Sequence, residues 1–102
     1  MQLQSLKLVT VVAEEILKEQ LGKKGLELGA TGYTTYQAQG LGSRGARTDE
    51  MGVGNVRLEF ICPPAVAEAI LTYVSHTFFE NYACIAWMSD VSVVRGAHYV
   101  KS

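Results

Sequence analysis

Strict alternation marks residues 55–62. In NVRLEFIC, Val56, Leu58, Phe60 and Cys62 fall on one side, and Asn55, Arg57 and Glu59 on the other. That is the period-two pattern of a strand with one face in a core. Pro63 and Pro64 stop it. Proline fits the first turn of a helix, so a helix is predicted to begin there, with Val66, Ile70, Tyr73, Val74 and Phe78 as its apolar stripe. Upstream, the β-branched run LKLVTVV at residues 6–12 predicts another strand. From Ala13 the spacing changes: Ala13, Leu17, Leu21 and Leu28 recur at near-helical intervals, with Glu14 and Glu15 ahead and Lys23 and Lys24 behind, charges that suit the two ends of a helix. Gly22 and Gly25 lie inside this predicted helix, where they either permit close packing or let it fray. Gly29 suits its C-terminal cap. Residues 33–39 predict a second strand, and NYACIAWMSDVSVV, residues 81–94, a long final one.

The order is therefore strand, helix, strand, loop, strand, helix, strand. Two βαβ halves in tandem make an α+β, ferredoxin-like βαββαβ plan: a four-stranded antiparallel sheet with both helices on one face. The final strand is apolar on both sides, with Ala83, Ile85, Trp87, Val91 and Val93 facing one way and Cys84, Ala86, Met88 and Val94 the other. A sheet apolar on both faces calls for cover on both. In a chain of 102 residues, the simplest second cover is another copy of the chain, so a homo-oligomer is expected. The length suits one domain, residues 1–102.

Between the second and third strands lies GLGSRGARTDEMGVG, residues 40–54, with five glycines, Arg44 and Arg47, and Asp49 and Glu50. Loops this long in small domains are functional or disordered. Glycine lets backbone N–H groups approach a ligand, and arginine forks suit phosphate or carboxylate. The formal net charge of −1 excludes broad, charge-driven binding to nucleic acid or membrane, so an anion site must come from the local arginines. No apolar run approaches the roughly 20 residues of a membrane span. The N-terminus lacks a signal-peptide pattern. Cys62 and Cys84 read as free thiols of a reducing compartment.

The letters of GxGxxG occur at residues 40–45, but they follow the second strand and lead into more loop, which is the wrong context for a dinucleotide fold. Asp49 and Glu50 are either an exposed acidic pair or help to hold a divalent cation beside nucleotide phosphates. His76 and His98 have no nucleophile or carboxylate at telling spacing and read as structural or surface residues. Trp87, Met88, Tyr33, Tyr36 and Phe60 suit a core or an interface rather than a base-stacking platform. The third strand also lacks the aromatic pattern of an RNA-recognition domain.

Three segments at these separations, ATGYT (30–34), GLGSRGAR (40–47) and FFENYACI (78–85), resemble the PII-like signalling proteins. Within that family they are most similar to the SbtB-type regulators of cyanobacterial sodium-dependent bicarbonate transporters. The family pattern is GYT, then GxGSRxxR, then Fx[DN]YAG. The resemblance implies a homotrimer with a flexible T-loop at residues 41–54 and adenine nucleotides (cAMP, AMP, ADP or ATP) in the clefts between subunits. It implies that Ser43, Arg44 and Arg47 hold phosphate, and that Gly32, Tyr33 and Thr34, with Tyr82, Ala83, Cys84 and Ile85, frame adenine and ribose. A divalent cation would accompany ATP. The partner implied is the cytoplasmic side of an SbtA-type bicarbonate transporter, which makes the protein cytoplasmic and membrane-associated only through that partner. Cys84 departs from the family's glycine, and the CGPxGC segment of some relatives is missing, so redox control is not implied. The alternative is an enzyme that hydrolyses ATP or ADP slowly in the same cleft, with Asp49 or Glu50 and a bound metal activating water. A metal- or amino-acid-binding trimer on the same fold is a further option, but the absence of a His/Cys cluster argues against transition metals.

Overall fold

The computed structural model describes residues 1–39, 41–42, 45–46 and 54–101. The elements run in the order β1 (Leu3–Glu14), a 3-10 turn (Glu15–Leu17), α1 (Lys18–Glu27), β2 (Thr34–Ala38), two short paired strands β3 (Leu41–Gly42) and β4 (Gly45–Ala46), β5 (Asn55–Cys62), α2 (Pro64–Phe78), β6 (Cys84–Val94) and a second 3-10 turn (Gly96–Tyr99). Four strands form one sheet in the order β2-β5-β1-β6. Every neighbouring pair in it is antiparallel. This is the ferredoxin-like plan predicted from the pattern.

The alternation in β5 places Val56, Leu58, Phe60 and Cys62 in the core, each at most 1% exposed. In register with them, β1 contributes Val9 opposite Phe60, Val11 opposite Leu58 and Ala13 opposite Val56. Onto this face α2 packs Ala67, Ile70, Val74 and Phe78, and the first helical segment packs Leu17 and Leu21. Burying each large apolar side chain contributes roughly 1.5–3 kcal/mol, so this layer holds the fold together.

Three boundaries differ from the sequence reading. β1 begins at Leu3, three residues before the predicted run. Ala13 and Glu14 are strand, not the first turn of α1: Ala13 pairs with Val56 and Cys84, and Glu14 with Asn55. Its spacing to Leu17 mimics a helix, but two neighbouring strands outweigh that local signal. At the other end, residues 81–83 form a turn, and β6 starts only at Cys84, where pairing with β1 begins.

Gly22 and Gly25 resolve toward close packing. A Cβ on Gly22 would overlap the Tyr33 ring, and one on Gly25 the Phe60 ring. Gly29 ends α1 with φ at +124°. Its N–H donates to the Leu26 carbonyl at 3.2 Å, and the Ala30 N–H to the Gly25 carbonyl at 3.0 Å. These two bonds make a Schellman cap, and glycine is the residue that takes the required backbone without strain. Among the described residues, no helix is long and apolar enough to cross a membrane.

Candidate functional site

The Schellman cap turns the chain back toward the sheet through the buried Ala30. Tyr33 then lays its ring where Gly22 leaves room, with its centroid 5.6 Å from that of Phe60. This wedge fixes residues 31–34 at the start of β2. There Thr31, Gly32, Tyr33 and Thr34 line a cavity of about 320 Å³, together with Leu8, Glu59, Ile61, His98 and Tyr99. The volume suits a small organic ligand.

The far wall comes from the end of the chain. Arg95 takes a left-handed backbone, φ 62°, which turns β6 into the second 3-10 segment. Gly96 is buried there against Gln4. Lys101 Nζ donates to the Leu26 carbonyl at 3.2 Å, pinning the tail to the C-terminal end of α1, where carbonyls lack helical partners. His98 and Tyr99 are thereby held against the cavity.

The second predicted group is positioned independently. The Tyr82 N–H donates to the Phe78 carbonyl at 2.9 Å, and the Tyr82 ring stands edge-on to Phe78 at 5.6 Å. The Ala83 N–H donates to the Glu14 carboxylate at 2.9 Å. Cys84 is half-buried and Ile85 exposed. Burial pushes the Cys84 thiol up to about 11, with the negative Glu14 reinforcing the effect. Burial alone takes Cys62 to about 11. Both thiols are protonated at neutral pH, which is inert chemistry for a nucleophile.

Within one chain the two groups do not meet. Gly32, Tyr33 and Thr34 sit at the β2 edge and Tyr82, Ala83, Cys84 and Ile85 at the β6 edge. Three strand spacings, roughly 14 Å, separate them across the sheet, and Thr34 is level with Trp87, so they are also offset by three residues along β6. The loop after β2 leaves from the same end of the sheet as the start of β6: Ala38 pairs with Asn55, Asn55 with Glu14, and Ala13 with Cys84. The Glu15 N–H closes that end by donating to the Gly54 carbonyl at 3.0 Å. Ser43, Arg44 and Arg47, with Asp49 and Glu50, lie outside the described residues.

Sequence reasoning missed Leu8, Glu59, Ile61 and Tyr99 as cavity residues and took His98 for a structural or surface group. The signal for Glu59 and Ile61 was present: both stand on the β5 side opposite the core. Nothing local joins them to Tyr99, ninety-one positions from Leu8. On the same open side, Arg57 donates to the Glu59 carboxylate from Nε at 3.3 Å and from Nη2 at 3.1 Å. Among the described residues there is no group of three or more His, Cys, Asp or Glu side chains suited to a metal.

The family model for nitrogen regulatory protein P-II matches residues 6–98. A crystal structure of a protein from Thermus thermophilus, named as PII-like signalling, is 46% identical. That match covers 98% of this chain and 100% of the other, with a TM-score of 0.86. CPII from Thiomonas intermedia, a nitrogen regulatory PII-like protein solved with ADP, AMP and bicarbonate, is 20% identical over 96% of each chain, TM-score 0.86. A second CPII structure, bound to ADP and bicarbonate, is 22% identical over 96% of this chain and 97% of that one, TM-score 0.84.

Proposed function

The chain belongs to the family of nitrogen regulatory protein P-II, and from that premise we propose that it binds adenine nucleotides in clefts between the subunits of a homotrimer and signals their presence to a bicarbonate transporter. One observation carries the proposal: a cavity framed by Gly32, Tyr33 and Thr34 exists in the single chain, while the other expected contacts, Tyr82, Ala83, Cys84 and Ile85, stand at the opposite sheet edge. A second copy that brings its β6 edge to the first copy's β2 edge completes the site. The 102 residues act as one PII-like domain.

In this arrangement adenine and ribose enter the cavity, and the phosphates run along the outer edge of β2 toward the loop. From Thr34 to Ala38 is four residues, about 13 Å of strand, a span that an extended nucleoside phosphate matches. Ser43, Arg44 and Arg47 of the T-loop, residues 41–54, take the phosphates, and a divalent cation accompanies ATP. Cyclic AMP, AMP, ADP and ATP share the base pocket but reach differently toward the arginines. Each therefore shifts the loop equilibrium by its own difference in affinity for the two loop states. The ADP and AMP in the crystals of CPII support the ligand class. The GSRxxR spacing supports the SbtB-type assignment, and with it the SbtA-type transporter as the partner on its cytoplasmic side.

Calorimetric titration with cAMP, AMP, ADP, ATP and GTP, with and without magnesium, tests this. Adenine-selective binding near one site per subunit is expected. Arg44→Ala should weaken it about 10- to 100-fold, the loss of one charge-assisted phosphate contact. Absence of binding by every nucleotide would overturn the proposal. Release of AMP from ATP over long incubation would favour the slow hydrolase instead.

A further inference from the structure

Glu59 belongs to two neighbourhoods. Its side chain lines the cavity beside Gly32, Tyr33 and Thr34. The same carboxylate accepts both hydrogen bonds from Arg57. The Tyr36 phenol stands near the same carboxylate, which raises its pKa, while Arg57 works the other way. Arg57 in turn lies over two rings, its guanidinium carbon 5.7 Å from the centroid of Tyr36 and 5.6 Å from that of Trp87. Register places these side chains on one face. Tyr36 pairs with Arg57, and Glu59 pairs with Thr10, which pairs with Trp87. One network therefore runs from the cavity across the open face to the far edge strand.

We infer that Glu59 senses occupancy of the cavity and that Arg57 passes the signal to Trp87 on β6. The inference rests on the nucleotide proposal above. An ionised carboxylate is an acceptor only. It repels phosphate, so the group it meets is a donor: an amine of the base or a hydroxyl of the sugar. A donor arriving from the cavity draws the carboxylate toward itself. The bonds from Arg57 lengthen or break, and the guanidinium shifts over the two rings. The pair is easily redirected because its side chains are 35% and 24% exposed, and such pairs are weak. Both ends of the network touch other parts of the site. Tyr36 lies on the strand that leads into the loop, and Trp87 shares its sheet face with Ile85, two residues closer to the start of β6.

Trp87 is the only tryptophan, so the relay has an optical readout. Emission of the full chain is followed during titration with AMP and ADP, beside calorimetry on the same samples. In the unaltered protein, Trp87 emission should change and saturate at the calorimetric midpoint. In Arg57→Gln the nucleotide should still bind, weakened by no more than about fivefold, the ceiling for a partly exposed ion pair, while the emission response disappears. Tyr36→Phe, which keeps the ring beside Arg57 and removes the hydroxyl near Glu59, should reduce the response without abolishing it; it also serves if Arg57→Gln does not fold. Binding with a silent Trp87, or a response that survives Arg57→Gln undiminished, overturns the relay and leaves the nucleotide proposal standing. No calorimetric binding of AMP or ADP to the unaltered protein overturns both.

Discussion

The two faces of the sheet are made by the same strands, yet only one of them is finished. On the helix side, Val9, Val11, Ala13, Val56, Leu58, Phe60 and Cys62 are at most 1% exposed. On the other, Tyr36 is 43% exposed, Trp87 40% and Ile85 59%. The open face also carries the charged pair Arg57 and Glu59 at its middle and the hydroxyl of Thr10 between Glu59 and Trp87. One face follows the rules of a protein interior and is dry, apolar and close-packed. The other has elements of an interface, with aromatic rings and an exposed isoleucine around an arginine–carboxylate pair. The chain closes one core by itself and leaves the second face open.

The helix side should give the largest loss on mutation. Phe60 fills the space that Gly25 leaves and also meets the ring of Tyr33. Phe60→Ala should destabilise the fold by about 3–5 kcal/mol through lost burial and the cavity left behind, as measured by urea unfolding. The candidate site should suffer as well, since Tyr33 loses the ring it leans on. A loss below about 1 kcal/mol would mean that the helix side is not the principal core.

Next in size is the open face. Ile85→Lys puts a charge at its most exposed large apolar position. The isolated chain should tolerate this, and its far-ultraviolet spectrum should be unchanged. Association should fall by about 2–4 kcal/mol, as for a disrupted anchor residue, and sedimentation should report single chains at micromolar concentration. An oligomer that persists undiminished would place the subunit contacts elsewhere and remove the contrast drawn between the faces.

The finished face was also the legible one. β5 was bounded correctly because alternation and two prolines are local signals. The start of α1 was misjudged because Ala13 and Leu17 keep helical spacing by coincidence, and only pairing with Val56 and Cys84 reveals the strand. The cavity was half legible. Gly32, Tyr33 and Thr34 were named through a family resemblance, whereas Leu8, Ile61 and Tyr99 join them only in three dimensions. Arg57 and Glu59 were read as the side of the strand opposite the core. That assignment of faces was right, but the network that links the pair to Tyr36 and Trp87 depends on register, which no local pattern specifies.

Acidity offers a smaller effect on the helix side. Burial holds the Cys62 thiol at about 11 against an ordinary 9.0. As pH rises, the unfolded chain releases this proton first, and above pH 9 the folded state binds more protons than the unfolded one. Stability should therefore be flat below pH 9 and fall between pH 9 and 11, by on the order of 2 kcal/mol for this thiol. In Cys62→Ala that part of the slope should vanish. A slope unchanged by the substitution would show that other groups carry it.

The smallest effect rests on a single buried atom. Thr10 is fully buried within one chain, and its hydroxyl has no hydrogen-bond partner among the described residues. A buried hydroxyl without a partner carries a desolvation cost of roughly 1–3 kcal/mol that an apolar side chain of the same shape avoids. Because the chain's own side chains already seal the hydroxyl, a second copy on the open face does not reach it. Thr10→Val should therefore raise stability by about 1 kcal/mol in thermal or urea unfolding, and by the same amount beside Ile85→Lys. A loss on substitution, or a sign that reverses between the associated and the dispersed protein, would mean that the side chains over Thr10 move aside on association and that a group of the second copy bonds the hydroxyl.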